Sequence, residues 1–540
     1  MGITTPRPER PLQPARQRAT VIRAVLTSLV VFILGAPSLT YPFSRDQGEY
    51  AYIAVAALEG KAIYRDVFNV KPPLTHLVHE LALLAFGRSM LSIRILDLLW
   101  QGATALLILL IAEQSCQRRG IGVLAGAIYG LAYYAGTYWS TAQTDGFLNL
   151  PVALGVLAFL EARKRGQAWA YLISGAALGV AALFKYPIAI LLPFLVLLIP
   201  RPWGRHTLRP LLWLALGFAL PLALAAADLA RQGTLDDFLY IQTRYIPAYT
   251  SGRSGQQGYL AGLLQHLLVL ERHAILMWLS AAALAIELAH AIRQKALPQT
   301  LLIAFWWLAA LAHYATQAKG YVYHAVPLLA PQAIIIAQLP YLLKDRANLS
   351  GALRVGALGL LQIFSLALVV GYTARGYPYT HQALFQVLLG DRPLEAVYDA
   401  PAFGTCGGGG ATDYGTYTEL EAARYIEART LPGDTIFVWG FEPTVYFLSR
   451  RASASRFIHN DPLYGDFPWP ALQQQCLAEL ERSAPRYIIV VRNDPIPKIS
   501  GVPDDSETAL ARFQELAHML AREYAPEVVM GDFTLYRRQE

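Results

Sequence analysis

The chain has 540 residues, 55% of them hydrophobic and only 15% charged, with a net charge of +7 and a mean hydropathy of +0.34. Soluble domains carry about 25% charged residues, so this composition excludes an ordinary soluble enzyme and indicates a polytopic α-helical membrane protein. The positive balance does not by itself point to nucleic acid, because membrane proteins gather Lys and Arg in their cytoplasmic loops.

Residues 1–19 form an Arg- and Pro-rich tail, "MGITTPRPERPLQPARQRA". The apolar run after it lacks a small-x-small cleavage site and reads as a retained first span, 20–39. Further span candidates are 91–112, 121–139, 146–162, 168–184, 186–200, 209–229, 273–291, 299–316, 321–342 and 353–375, most of them near the roughly 20 helical residues that a bilayer core requires. Between the first two spans lies a long loop, 40–90. It contains "LTHLVHELALLAFG" (74–87), whose 14 residues include His76, His79 and Glu80. That segment is short and amphipathic, which suits a helix lying in the interface.

Treating 74–87 as interfacial places Arg118 and Arg119, Arg163 to Arg165, Arg201/Arg205/Arg209, Arg293 and Lys295, and Lys344/Arg346/Arg354 on the side of the N-terminal arginines. Counting it as a span would scatter them over both faces, against the positive-inside bias. The expectation is therefore a transmembrane domain over 20–375 with eleven spans and a cytoplasmic N-terminus. Loop 40–90 and everything after 375 would be extracytoplasmic.

The last part of the chain changes character. "GTCGGGG" (404–410) sits in a linker, 376–415; it lacks the Gly-Lys-Ser/Thr of a phosphate-cradling loop and reads as a hinge. Residues 416–540 read as a small α/β domain. "ELEAARYIEARTLPGDTIFVWG" is a helix, a turn and a buried strand, "PRYIIVVRND" repeats a strand after a second helix, and "ETALARFQELAHMLAREY" is a third helix before a terminal hairpin. Three cysteines are too few for a disulfide framework. Cys406 and Cys476 either pair in an oxidising compartment or remain buried thiols.

Ionisable residues in or beside spans are functional candidates, and here they gather at one side. Asp46, Glu49, Asp66 and Lys71 lie in the first loop, Arg94 and Asp97 at the start of the second span, and Asp145 in "YWSTAQTDGFLNLP". "TQAKGYVYHAVP" adds Lys319, Tyr323 and His324. Asp46 and Asp145 each have a plain alternative as a helix N-cap, Asp46 with Glu49 completing a capping box. Lys71 could simply snorkel to headgroups, and Arg94 with Asp97 reads as a structural ion pair.

The ordered set Asp-x-Gly-Glu-Tyr, "GKAIYRDVFNVKPP", "SIRILDLL", Asp145, "GAALGVAALFKYP" and "KGYVYHAVPLLAP" resembles the multispan GT-C glycosyltransferases. These include the protein O-mannosyltransferases and the lipid A aminoarabinose transferases. The resemblance implies transfer of a sugar, with inversion, from a polyprenyl-phosphate carrier to a glycan, lipid or protein acceptor at the extracytoplasmic face of a bacterial cytoplasmic membrane. It implies Asp46 as general base, Asp145 as a second catalytic acid, and Lys71, Lys319, Tyr323 and His324 around the donor phosphate, with Glu49, Arg94 and Asp97 supporting. Many relatives carry two adjacent acids where this chain has Asp46-Gln47, a departure that speaks against a divalent metal. The competing readings are a transporter or lipid flippase, and a scaffold that binds envelope glycans; no internal repeat supports the first.

Overall fold

The computed structural model describes residues 14–199, 205–248, 274–294, 297–317, 321–346, 377–398, 415–464 and 470–539. Most are helical. In chain order the main helices are α1 (Pro14–Gly35), α2 (Arg45–Leu58), α3 (Leu74–Phe86), α4 (Met90–Cys116), α5 (Ile121–Tyr134), α6 (Asn149–Arg165), α7 (Ala168–Ala182), α8 (Arg205–Gln232), α9 (Ala274–Gln294), α10 (Leu297–Thr316) and α11 (Leu329–Arg346). Six segments are long and apolar enough to cross a membrane: Arg18–Thr40, Met90–Cys116, Thr144–Arg165, Leu208–Gln232, Ile275–Arg293 and Val322–Leu342. Leu74–Phe86, Ile121–Tyr134, Ala168–Ala182 and Tyr186–Leu197 are shorter apolar helices. The expected last span, 353–375, lies outside the described residues, as do Cys406 and the glycine run.

Helix α8 shows how the bundle meets lipid. Leu208, Leu212, Leu216, Leu220 and Leu224 recur every four residues on its exposed face, while its other face approaches α7 closely. A Cβ on Gly175 would lie 2.1 Å from the Leu214 carbonyl oxygen, and one on Gly217 would lie 2.1 Å from that of Leu172. Small residues at such crossings let backbones pack where no hydrophobic effect drives association.

Two expected spans differ. The 121–139 helix ends at Tyr134, and the chain turns through a left-handed Thr137 (φ 60°) into the separate short helix Thr137–Ser140. Segment 186–200 begins as a 3-10 turn, Tyr186–Ile190, with Pro187 in its first positions, before a short helix Leu191–Leu197. In the first loop, helix α2 is buried along most of its length, at Arg45 and from Gln47 to Ala56. Helix α3 is a short apolar helix whose polar residues face the protein. His76 and His79 point into the protein, and Leu77, Leu81 and Leu84 are exposed.

What covers α2 is the C-terminal unit. It contains α12 (Thr416–Glu427), α13 (Thr444–Ser449), α14 (Pro470–Ser483) and α15 (Gln514–Glu523) around a five-stranded sheet. The strands are β1 (Thr435–Trp439), β2 (Ala452–Ser453), β3 (Tyr487–Val491), β4 (Tyr524–Met530) and β5 (Phe533–Arg538), in the order β2-β1-β3-β5-β4. β1 runs parallel to β2 and β3, pairing Ile436 with Tyr487 and Trp439 with Val490, while β5 is antiparallel to β3 and β4. The third expected helix is broken at Phe513, where the backbone opens to φ −122° and ψ 71° before α15. Cys476 is buried in this unit's core with Leu480, Phe437 and Ile488.

Several contacts tie the unit to the loop before α3. The Ser453 N–H donates to the Tyr52 hydroxyl (2.7 Å), and the Phe68 N–H donates to the Arg456 carbonyl (2.8 Å). Arg45 and Glu442 form an ion pair of 2.6 Å with side chains 7% and 0% exposed.

Candidate active site

The geometry of the site starts at the first turn of α2. Ser44 is its N-cap, and the Ser44 N–H donates to Gln47 Oε1 (2.5 Å). The cap is thus Ser44 with Gln47, not Asp46 with Glu49, because the helix begins one residue before Asp46. That assignment releases Asp46. Its carboxylate is half-buried, with no hydrogen bond or ion pair among the described residues, and it faces a cleft. Gln47 is fully buried, and its amide donates to the carbonyls of Tyr138 (2.9 Å) and Thr141 (2.5 Å). A carboxylate could not donate those two bonds, which gives the amide at this position a physical reason.

Arg94 and Asp97 are both fully buried but do not form the expected ion pair. The Arg94 guanidinium donates to Thr141 Oγ1 (3.0 Å), to the Tyr41 carbonyl (3.4 Å) and to the Pro42 carbonyl. Asp97 accepts instead from the Tyr133 hydroxyl (2.7 Å) and from Gln101 (3.0 Å). The arginine satisfies carbonyls of two loops left without helical partners, so its role is to hold the first loop against segment 137–142.

Asp145 opens a second cluster. Its two oxygens meet Lys185 Nζ at 2.6 Å and His313 Nε2 at 3.0 Å. His313 was not selected from the sequence. Its signal was available, as a histidine near the end of an apolar helix, but its partner lies 168 residues away. Tyr323 and His324 lie in the 3-10 turn Val322–Leu328. Tyr321 and Tyr323 stack at 5.5 Å, and His324 stands edge-on to both, at 5.4 and 4.6 Å. His324 Nδ1 is buried with no hydrogen-bond partner among the described residues. Lys319 lies outside them.

Lys71 approaches from the third side. Its N–H donates to Asn69 Oδ1 (2.7 Å), and its carbonyl accepts from the Tyr64 hydroxyl (2.9 Å). The backbone is thereby pinned three residues before α3, while the half-buried ammonium sits 5.9 Å from the Tyr50 ring. Burial lowers His76 to about 3 and His79 to about 4, so both rings are neutral at physiological pH.

These groups share one electrostatic neighbourhood. Tyr50 and Tyr323 each feel the charges of Asp46 and Asp145, and Lys185 feels Lys71 and Asp46. His324 feels Lys71, Lys185 and Asp145. Asp46, Lys71, Asp145, Tyr323 and His324 are therefore brought together, from four separate stretches of chain. Tyr50 feels the charge of Glu49 too, but Glu49 is engaged: it accepts from Asn69 (2.5 Å) and faces His459 of the C-terminal unit at 3.4 Å. No group of three or more His, Cys, Asp or Glu side chains is arranged to hold a metal ion among the described residues.

Residues 70–227 match the family described as dolichyl-phosphate-mannose-protein mannosyltransferase. Among solved structures, ArnT from Cupriavidus metallidurans bound to undecaprenyl phosphate superposes with a TM-score of 0.58 at 15% identity, covering 96% of this chain and 97% of that one. Its apo state superposes with a TM-score of 0.51 at 14% identity, covering 97% and 98%. The chain has the GT-C membrane fold. The match extends over almost the full length of both proteins, so it takes in the C-terminal unit as well as the bundle. No curated protein matches the chain. The GT-C fold and the six apolar segments make it an integral membrane protein.

Proposed function

We propose that the chain is a glycosyltransferase that moves a sugar from a polyprenyl-phosphate carrier to an acceptor hydroxyl at the extracytoplasmic face. The observation that carries this reading is the pairing of Asp46 with Lys71, neither side chain in a hydrogen bond or ion pair among the described residues, in one electrostatic neighbourhood. An acceptor hydroxyl attacks the anomeric carbon as Asp46 takes its proton. The new glycosidic C–O bond forms as the bond from the anomeric carbon to the phosphate oxygen breaks, and that oxygen leaves with the electron pair. Attack opposite the departing phosphate inverts the anomeric configuration.

Lys71 answers the charge on the leaving phosphate, since preorganised donors aimed at developing charge lower the barrier most. It stands just before α3, where helical N–H groups add a partial positive charge. The His324 Nδ1 nitrogen offers a further donor or acceptor on the same side. Asp145 is engaged by Lys185 and His313, so its role in this scheme is to hold Lys185 in the site rather than to take a proton. ArnT was solved with undecaprenyl phosphate, which supports a carrier of the same chemical class here. The exposed leucines of α3, beside Lys71, suit the polyprenyl chain.

The test is a transfer assay with the full chain in lipid nanodiscs and a radiolabelled polyprenyl-phosphate sugar. Asp46→Asn is expected to abolish transfer with donor affinity unchanged, and Lys71→Ala to weaken donor affinity. Wild-type rates in Asp46→Asn would refute the assignment.

A further inference from the structure

A cavity lies at the end of the bundle remote from Asp46. One wall is the start of α1, with Thr20 and Arg23. The other is the end of α4 and the turn after it, with Glu113, Gln114, Arg118 and Arg119. The cavity has a volume of about 320 Å³ and is open on one side, a size at the lower end of small-molecule sites. From Arg94 to Glu113 helix α4 rises about 28 Å at about 1.5 Å per residue, close to the thickness of a bilayer core. The cavity therefore stands at the membrane face opposite Asp46 and Lys71 and shares no residue with their site.

The local backbone fixes the charges around it. Gln117 ends α4 in a left-handed conformation (φ 52°), and Gly120 at φ 84° opens α5, so Arg118 and Arg119 occupy a tight turn. Glu113 Oε1 accepts from the Gly120 N–H (3.2 Å) and closes that turn. The same carboxylate pairs with Arg23, whose Nε and Nη2 meet its two oxygens at 2.6 and 3.1 Å. Arg23 Nη2 also donates to Thr20 Oγ1 (3.1 Å). The Arg118 guanidinium lies over the Tyr341 ring of α11 at 5.5 Å. Three guanidiniums thus surround one carboxylate that is already engaged, which leaves the cavity with an excess of positive charge. Gln114 Oε1 is buried with no hydrogen-bond partner among the described residues. Arg23 and Glu113 lie inside the apolar segments Arg18–Thr40 and Met90–Cys116, where ionisable groups are costly and rarely without function.

We infer that this cavity is a binding site for the headgroup of an anionic phospholipid, which joins α1 to the α4–α5 turn. The excess of guanidiniums selects an anion, and a phosphodiester suits their planar, forked donors. The surroundings select a lipid over a soluble phosphate. Val21, Ile22, Val25, Leu26 and Leu29 form an exposed apolar stripe on α1 that begins beside Thr20, so an acyl chain lies along the helix that lines the cavity. Basic residues clustered at a helix end beside lipid are the pattern that recognises anionic headgroups. The Gln114 amide oxygen accepts from a headgroup hydroxyl, which favours a glycerol headgroup. Choline offers no such donor, and its quaternary ammonium is repelled by the guanidiniums. The Arg23–Glu113 pair alone would hold α1 to α4, but it explains neither the open space beside it nor the two further arginines on its rim.

The test is native mass spectrometry of the full chain in detergent micelles, titrated with dioleoyl phosphatidylglycerol or dioleoyl phosphatidylcholine. Phosphatidylglycerol is expected to bind at least about tenfold more tightly, the worth of one charge-assisted hydrogen bond. Arg119 is exposed and stands outside the Arg23–Glu113 pair, so Arg119→Gln keeps the fold; it should weaken that binding by about tenfold or more. Gln114→Leu, which keeps the side-chain volume, should weaken it by about fivefold, the worth of a neutral hydrogen bond. Lys164→Gln serves as the control, because Lys164 is exposed at the end of α6 remote from Asp145. It should leave binding within about twofold at about 0.15 M salt, where exposed charges are screened. sn-Glycerol 3-phosphate, the soluble headgroup, should not displace the lipid. Equal binding of the two lipids, equal losses in Arg119→Gln and Lys164→Gln, or displacement by glycerol phosphate would each overturn the inference.

Discussion

Removing Glu442 should loosen α2 from the C-terminal unit, and removing Arg45 as well should restore much of the hold. In Glu442→Met the Arg45 guanidinium keeps its burial but loses the carboxylate that accepts both its Nε and Nη2 protons. Breaking a buried pair from one side costs about 3–5 kcal/mol, because the remaining charge loses the compensation that partner gave. The Asp494 carboxylate also feels Arg45, which places the expected loss at about 3 kcal/mol, or roughly a 150-fold rise in local opening given RT of about 0.59 kcal/mol. Replacing both partners with apolar residues of similar volume is often neutral or better. Hydrogen exchange of peptides covering 45–58 and 440–449, on the full chain in nanodiscs, reads the opening directly. Exchange in Glu442→Met should rise by about two orders of magnitude, and Arg45→Met/Glu442→Met should return most of the way to wild type. Exchange within a few-fold of wild type in the single variant, or no recovery in the double, would refute the reasoning.

Asp46→Asn should lower the transfer rate by about 10²–10⁴-fold, the usual worth of a general base, with unchanged exchange in α2 because Asp46 does not cap it. Lys71→Ala should weaken donor affinity by roughly 10- to 150-fold, equivalent to a charge-assisted bond of about 1.5–3 kcal/mol; an equilibrium binding assay with labelled donor checks it. Gln47→Glu should destabilise segment 137–142 by about 1–3 kcal/mol, since two buried carbonyls lose their donor, and trypsin and chymotrypsin susceptibility there should rise. His459 supplies a pH dependence. Burial opposes charge on its ring, but the Glu49 hydrogen bond and carboxylate outweigh that and raise its pKa above the usual 6.5. Its contribution is therefore fully present below pH 6.5 and is lost as pH rises through the raised value. Hydrogen exchange around Phe441 and His459 should quicken with pH beyond its intrinsic slope, and His459→Gln should remove that excess.

The sequence singles out the residues where charge interrupts grease. Asp46, Lys71 and Asp145 stand out because an ionisable group in an apolar chain needs a reason, and charge balance across the loops is what favours an interfacial reading of 74–87. Helix α3 nevertheless turns its histidines inward, because a lipid-facing surface inverts the usual rule that polar residues face out. The capping assignment failed for a local reason: Ser44-x-x-Gln47 and Asp46-x-x-Glu49 both fit the same pattern, and pattern alone does not decide between registers two residues apart. Arg94 and Asp97 failed for a different one, since proximity in sequence does not show that loop carbonyls compete for the arginine. The pairings of Arg45 with Glu442, 397 residues apart, and of Asp145 with His313, 168 residues apart, join residues too distant in the chain for the pairing itself to be read from sequence. The covering of α2 by the C-terminal unit likewise depends on the whole fold.

The account turns on Asp46 and Lys71 flanking the bond that breaks. Cryo-electron microscopy of the full chain in nanodiscs with a polyprenyl-phosphate sugar tests that placement most directly. The phosphate is predicted beside Lys71 Nζ and the His324 ring, with the anomeric carbon turned toward the Asp46 cleft. Density for the phosphate on the opposite side of the membrane, or beside Arg45 with Lys71 left unengaged, would contradict it.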